Sequence, residues 1–592
     1  MFTENSPKKR KSHQQDEENN QPTPKKQQVE TPSRNSSSKK QKSHQKDEEN
    51  NQPTPKKEQV ETPSRSSSSK KQKSKLKDEE NNQSTSQIHH YSSPSSQGAS
   101  DDSKSKVIND PVHGHIRIAN NLFRYIDHPL FQRLRDLKQL GGMYYVFPGA
   151  SHNRFEHSIG TAYLAGEWLR LLKANSDPDI KVTEREIFLV QVAALCHDLG
   201  HGPFSHTFED CFVRNNPKLA KKFDHEMASC LLLEFINDDF KKKNDFYEND
   251  KNESHILQPT ELQMVKNMIK GKKNNKEQRA FLYEIVHNEE TGIDVDKFDY
   301  LARDCRNCDL PLGFRSERLL QFSKIMRVDN VYKICFEKRE AFNLFNMFTT
   351  RVSLHKQIYS HRVVKAIELM IGDVLQKVDS AFDITETLHT LGDNNLSLKD
   401  KEAAILTYSC FTDSLINDIY RRENEPAFAE AKDLIERIMS RKLYQFCCSI
   451  GIKNSSQAEE ILDLLKSQFN NNPNVLWKKQ VFNFGKGDQN PLALTNFYEG
   501  NTAAKLLDSG DICGLLEPKT FQEVYIRVFL KDEAKEEAVS RTYKQVKNVI
   551  DRSKYAAVAG VTCSAKAQSK TKKVTDDETD SVACNLNERF DL

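Results

Sequence analysis

The stretch Ala194-Leu195-Cys196-His197-Asp198-Leu199-Gly200-His201-Gly202-Pro203-Phe204-Ser205-His206 decides how this chain is read. An adjacent His and Asp reach one metal ion only when other ligands close the site. Two candidates complete it: His157, in Asn153-Arg154-Phe155-Glu156-His157, and Asp296, in Ile293-Asp294-Val295-Asp296-Lys297. Two imidazoles and two carboxylates make a mixed nitrogen and oxygen set. Such a set suits a transition metal such as Zn, Fe or Mn and leaves positions open for water or phosphate. Further His, Arg and Lys residues crowd the same segments. Together they point to metal-assisted hydrolysis of a phosphate ester.

Local patterns place these residues on helices. Thr183-Glu184-Arg185-Glu186 is a capping box opening an apolar run that delivers His197 and Asp198 at its C-terminal end. Asn153 followed by Glu156 is a second helix start, with His157 in its first turns. Residues 293–304 read as helix, with Asp296, Tyr300 and Asp304 on one face. Longer helical patterns follow over about 340–377 and 401–467. Alternation at Val524, Ile526, Val528 and Leu530 predicts a strand, residues 479–486 are another candidate, and a helix follows at about 533–552.

Residues 1–104 read differently. Asp16-Glu17-Glu18-Asn19-Asn20-Gln21 returns at Asp47 and again at Asp78, but the repeat carries almost no apolar residue to stack. A disordered tail is expected. Its basic cluster Lys8-Lys9-Arg10-Lys11 suggests nuclear import, with a cytoplasmic share allowed. Ser6, Thr23, Thr31, Thr54 and Thr62 each precede Pro, the pattern of proline-directed phosphorylation sites. There is no apolar run long enough for a membrane span and no apolar signal core, so neither membrane nor secretion is expected. The 12 cysteines show no framework spacing and read as thiols, with Cys305 and Cys308 in a turn. A net charge of +3 announces no global field for nucleic acid.

The words around the ligands make a family visible. Asn109-Asp110-Pro111-Val112-His113-Gly114-His115, Gln139-Leu140-Gly141-Gly142, Phe147 to Ser158 and Gly292 to Tyr300 resemble the HD-domain deoxynucleoside-triphosphate triphosphohydrolases, of the eukaryotic sterile-alpha-motif-and-HD type. The resemblance runs from about Lys106 to about 555, and the repetitive tail stands where a sterile alpha motif domain would be. It implies a mainly α fold: a helical phosphohydrolase core over 105–378, a C-terminal helical and α+β lobe over 379–555, and disordered tails at 1–104 and 556–592. It implies cleavage of a dNTP into deoxynucleoside and inorganic triphosphate, with one bound transition metal and Mg on the nucleotide phosphates.

The same resemblance assigns roles. His157, His197, Asp198 and Asp296 hold the metal. Arg154, Lys297 and Arg351 clamp the triphosphate. His201, His206 and His225 face the chemistry. His225 is the family's acid, while His206 is equally good on chemistry alone. Glu209 stands where the family has aspartate, which is expected to shift any His–carboxylate pairing. Gln139 and Asp304 select the 3′-hydroxyl, Tyr359 excludes a 2′-hydroxyl, and Leu140, Tyr300 and His361 also match. Asp294 and Asp299 read as helix-end and surface carboxylates, and His113, His115 and His152 as loop supports.

Relatives are activated by nucleotides that bridge subunits into a tetramer, so GTP and dNTP activators and a homo-oligomer, dimer to tetramer, are expected. The guanine-nucleotide positions are Lys106, Val107, Asp127, Gln132 and Arg135. The adjoining activator positions are Asn109, Arg318, Arg339, Asn343, Arg362 and Lys432. Glu337, Glu436 and Gly500 replace basic residues there, and carboxylates repel a triphosphate unless Mg²⁺ intervenes. The residues leave open two alternatives. One is an HD phosphohydrolase acting on other nucleotides. The other is a nucleic-acid-binding scaffold, holding single strands weakly, with a vestigial site.

Overall fold

The fold is taken from a computed structural model. The structure describes residues 105–244, 255–273, 278–422, 425–453, 455–507, 514–531 and 536–563. The readings of the tail up to 104 and of residues 564–592 lie outside the described residues.

The described chain opens with an antiparallel hairpin of β1 (Ser105–Asp110) and β2 (Gly114–Ala119). Three helices then frame the site. Helix Arg154–Asn175 begins where the Asn153 N–H donates to Glu156 Oε1 at 2.7 Å. Helix Glu184–Cys196 begins at the expected capping box: Thr183 Oγ1 accepts from the Glu186 N–H at 3.1 Å, and the Thr183 N–H donates to Glu186 Oε2 at 2.8 Å. Both helices are buried on most of their circumference, so they run through the core rather than over it.

Helix Val295–Asn307 is two-faced. Val295, Phe298, Leu301 and Cys305 enter the core, where Phe298 meets Trp168 with ring centroids 5.5 Å apart. Its other face turns Asp296, Tyr300 and Asp304 into a cleft. The pattern expected over 340–377 is realised as helices Ala341–Leu354 and Arg362–Phe382. A π-helical turn, His355–Tyr359, interrupts them and brings Tyr359 to the cleft wall.

Two four-stranded sheets follow. One has the order β3 (Ser323–Val328), β4 (Val331–Glu337), β7 (Asn496–Tyr498), β8 (Lys505–Leu506), with β4 and β7 parallel. The other has the order β10 (Ala559–Cys563), β5 (Gln445–Ile452), β9 (Gln522–Leu530), β6 (Val475–Asn483), all antiparallel. Helices Ala458–Gln468 and Glu536–Asp551 contribute buried side chains to a small hydrophobic cluster with the second sheet.

Three expectations need correction. The helical run over 401–467 is broken: helices Glu402–Ser409, Leu415–Arg421 and Ala429–Met439 give way to β5, because Cys448, Ile450 and Ile452 alternate inward and both edges of the strand are paired. A boundary at 378 does not separate two cores. Helix Arg362–Phe382 runs across it, and Ile384, Leu388, Tyr408 and Leu434 share the main hydrophobic cluster. Residues 559–563 pair as β10 rather than belonging to a tail. No helix among the described residues is long and apolar enough to cross a membrane.

Candidate metal and phosphate site

His157 sits in the first turn of its helix and is fully buried. Its Nδ1 hydrogen-bonds Asp299 Oδ2 at 2.7 Å, so Nε2 is left with its lone pair. His197 caps its helix, and its Nδ1 donates to the Ala194 carbonyl at 2.7 Å, which again frees Nε2. Both Nε2 atoms are buried without a hydrogen-bond partner. Two carboxylates face them. His157 Nε2 lies 3.4 Å from Asp198 Oδ2 and 3.2 Å from Asp296 Oδ1, and His197 Nε2 lies 3.4 Å from Asp198 Oδ1 and 3.4 Å from Asp296 Oδ1. Two orphaned imidazole nitrogens converging on two carboxylates fit a divalent transition metal by donor chemistry.

The support around this set is equally built. Asp299 was read as a surface carboxylate, and the structure corrects that: it is fully buried, and it accepts from His157, from His113 Nε2 at 2.7 Å and from Arg303. Such partners orient a ligating ring and raise its basicity. Asp294 is a helix end as expected, accepting from the Lys297 N–H, but is also buried. Arg154 was expected on phosphate. It lines the cleft but is already engaged, donating to Asp198 and to Ser205 Oγ at 2.8 Å. Burial pushes the Asp198 carboxyl up, but Arg154, His197 and His201 outweigh it and hold the group well below the ordinary range.

Above the ligands the cleft encloses about 810 Å³. Gln139, Leu140, Arg154, His201, His206, His225, Lys297, Tyr300, Asp304, Arg351 and Tyr359 all line it. His361 does not: its ring packs edge-on to Phe147, 5.5 Å between centroids. Asp304 joins His152 Nε2 at 2.7 Å on one oxygen and the Tyr359 hydroxyl on the other. His113 and His152 therefore act as supports, while His115 is exposed.

The three histidines are not alike. His201 and His225 stack with ring centroids 4.0 Å apart, and His206 stands edge-on to both. His225 Nδ1 meets Glu209 Oε1 at 2.7 Å, so the longer carboxylate still makes the pair. Burial depresses His225, but Glu209 overrides it and the net shift is upward. His206 is shifted down by its crowding in the cleft, Arg154 and His225, although its side chain still reaches solvent. His201 is also driven well down by burial and Arg154.

None of the expected activator residues lines the cleft. The Lys106 ammonium lies over the Phe123 ring at 4.1 Å, and the Arg135 guanidinium over Phe155 at 3.5 Å, while Arg135 also donates to Gln132 Oε1. Val107, Asn109 and Asp127 are exposed beside them in sequence. Arg339 pairs with Glu337 at 2.7 Å, Arg318 pairs with Glu340, and Asn343 donates to Glu340 Oε2 at 3.0 Å. Lys432 donates to the Arg422 carbonyl, Glu436 is exposed, and Arg362 opens its helix. Residues to which the sequence reading gave no role in the site include Ser205, Asn483 and Asp413. Their partners lie far away in the chain, and no local spacing flags them.

Residues 154–304, the span that carries His157, His197, Asp198 and Asp296, match the family model described as HD domain. The chain is 36% identical over 462 residues to deoxynucleoside triphosphate triphosphohydrolase SAMHD1 of Gallus gallus, covering 72% of each chain. It is 36% identical to the Homo sapiens protein of that name, covering 72% of this chain and 70% of the relative. The Dictyostelium discoideum SAMHD1 homolog is 36% identical, with coverage of 74% and 80%. The chain belongs to the SAMHD1 family of HD-domain proteins.

Proposed function

We propose that the chain hydrolyses a deoxynucleoside triphosphate and water to deoxynucleoside and inorganic triphosphate. The observation that carries this reading is the pair of orphaned Nε2 atoms, of buried His157 and of His197, the latter lining a cleft whose wall presents Asp304 and Tyr359. His157, His197, Asp198 and Asp296 would hold Zn, Fe or Mn, which supplies Lewis acidity toward phosphate and acidifies water. Lys297 and Arg351 face the charged phosphates, which travel with Mg. Gln139 and Asp304 hold the 3′-hydroxyl, and Tyr359 fills the space a 2′-hydroxyl needs. The water oxygen bonds to the α-phosphorus and gives up a proton to solvent, the P–O5′ bond breaks with its electron pair going to O5′, and O5′ takes a proton. His225 is the donor, because Glu209 pairs with its ring and raises its pKa, whereas no carboxylate among the described residues pairs with His206 at hydrogen-bond distance.

The test is product identification with each dNTP and NTP. Triphosphate released from dNTPs is expected. Orthophosphate or pyrophosphate as product would reject the reading. His197→Ala and Asp198→Ala should each lose bound metal and hydrolysis, since no neighbouring group rebuilds a lost ligand. Full activity in either variant contradicts the ligand assignment.

We further infer that GTP activates through Lys106, Val107, Asp127, Gln132 and Arg135 in a nuclear homo-oligomer, and that the adjoining dNTP activator binds weakly. The Glu337–Arg339 and Glu340–Arg318 pairs support the second point, since those cations are already neutralised. Activity and oligomer state titrated against dATP at fixed GTP should show a shallow dependence. A steep dATP requirement for assembly would show the inference to be wrong.

A further inference from the structure

We propose that Asp413 is a positioning residue of the hydrolase site, clasping the two loops that carry Gln139 and His206. The inference rests on the cleft being that site. Asp413 lies between helices Glu402–Ser409 and Leu415–Arg421, remote in sequence from everything it holds. Its Oδ1 accepts from the Phe204 N–H at 2.6 Å, and its Oδ2 accepts from the Lys138 N–H at 2.9 Å. Its own N–H donates to the Asp136 carbonyl at 3.1 Å. One carboxylate therefore ties together the residue before Gln139 and the residue two before His206.

Both loops need such a tie. Phe204 and Ser205 have φ of 60° and 54°, two successive non-glycine residues in the left-handed region. That conformation persists only where the surroundings over-determine it. The loops also touch. A Cβ on Gly141 would stand 2.2 Å from the Phe204 carbonyl oxygen.

Each arm of the clasp ends on a group that the chemistry uses. Ser205 Oγ donates to the Lys138 carbonyl at 2.6 Å and accepts from Arg154, which donates to the metal ligand Asp198. On the other arm, the Gln139 N–H donates to the His152 carbonyl at 2.9 Å, and the His152 ring holds Asp304. Neighbouring residues add to the grip: Tyr408 Oη donates to the Gly200 carbonyl at 2.7 Å, and Arg133 bridges the Leu199 and Phe411 carbonyls. A carboxylate suits the task because each oxygen takes one backbone N–H. An amide of the same shape offers one acceptor and turns an NH₂ against the other donor.

The experiment uses the full chain with dGTP and compares Asp413→Asn, Ser205→Ala and the double variant. Metal per chain, thermal midpoint, kcat and KM are read for each. Asp413→Asn should keep its metal and its fold, lower kcat about tenfold or more, and change KM far less, because misplaced groups are felt in the transition state. The double variant should fall little below the worse single variant, since both act through one hydrogen-bonded chain. Wild-type kcat in Asp413→Asn, additive losses, or a loss that tracks the folded fraction would each overturn the proposal. Should the Asn variant not fold, Asp413→Glu serves instead: its longer arm displaces both loops, and a folded, metal-loaded Glu variant at wild-type kcat overturns the proposal. Absence of triphosphate release by the unaltered chain would instead reject the hydrolase reading itself.

Discussion

Glu209 raises the pKa of His225 against the effect of burial. It accepts from both the ring Nδ1 and the backbone N–H of that residue, at 2.7 and 3.0 Å. A donor must be protonated to act, and the raised pKa keeps His225 protonated as pH climbs. Glu209→Gln removes the stabilising charge and lowers that pKa. The alkaline limb of the kcat profile should therefore move to lower pH while metal content stays unchanged. A limb that does not move assigns the proton elsewhere. At this scale the four residues proposed to hold the metal were legible because each lies inside a recognisable word. Asp299 was not. It stands on the same helix as Asp296 but off the face of Asp296, Tyr300 and Asp304. Its partner His113 comes from the β1–β2 hairpin, 186 residues away in sequence. A pairing of that range leaves no periodic trace.

Helices announced themselves where caps and apolar runs coincide, as at Thr183 and Asn153. Strand β5 did not, because its partners β9 and β10 arrive only later in the chain. The turn at Gly141 shows how tightly one element constrains another. Gly141 has φ of +50°, and the Phe204 carbonyl occupies the space a side chain would need. Gly141→Ala combines backbone strain with overpacking and should cost about 2–4 kcal/mol of stability. Chemical denaturation checks this. A variant as stable as the parent would mean that the two loops separate freely.

The cleft is assembled from residues between Gln139 and Asn483. A chain starting at Ser105 should therefore hydrolyse dNTPs at nearly the full rate, measured as triphosphate release per metal-loaded chain. A large loss would give the first 104 residues a part in the chemistry. The second sheet has a hydrophobic cluster of its own, from Cys447 to Ala559. Yet its strands hold two active-cleft neighbours. Asn483 on β6 accepts from Arg351, and Arg527 on β9 donates to the Ser360 carbonyl beside Tyr359. Only Phe529 of this sheet is buried in the main cluster, with Phe446 and Leu476 packed against it, so the sheet is expected to open as a unit below the free energy of global unfolding. Each such opening would let go of Arg351 and slacken the Tyr359 wall while the metal ligands, rooted in the main core, stay in place. On warming, the proposed grip on the nucleotide is expected to loosen before the proposed metal is lost, read as falling nucleotide affinity at temperatures where metal content is unchanged.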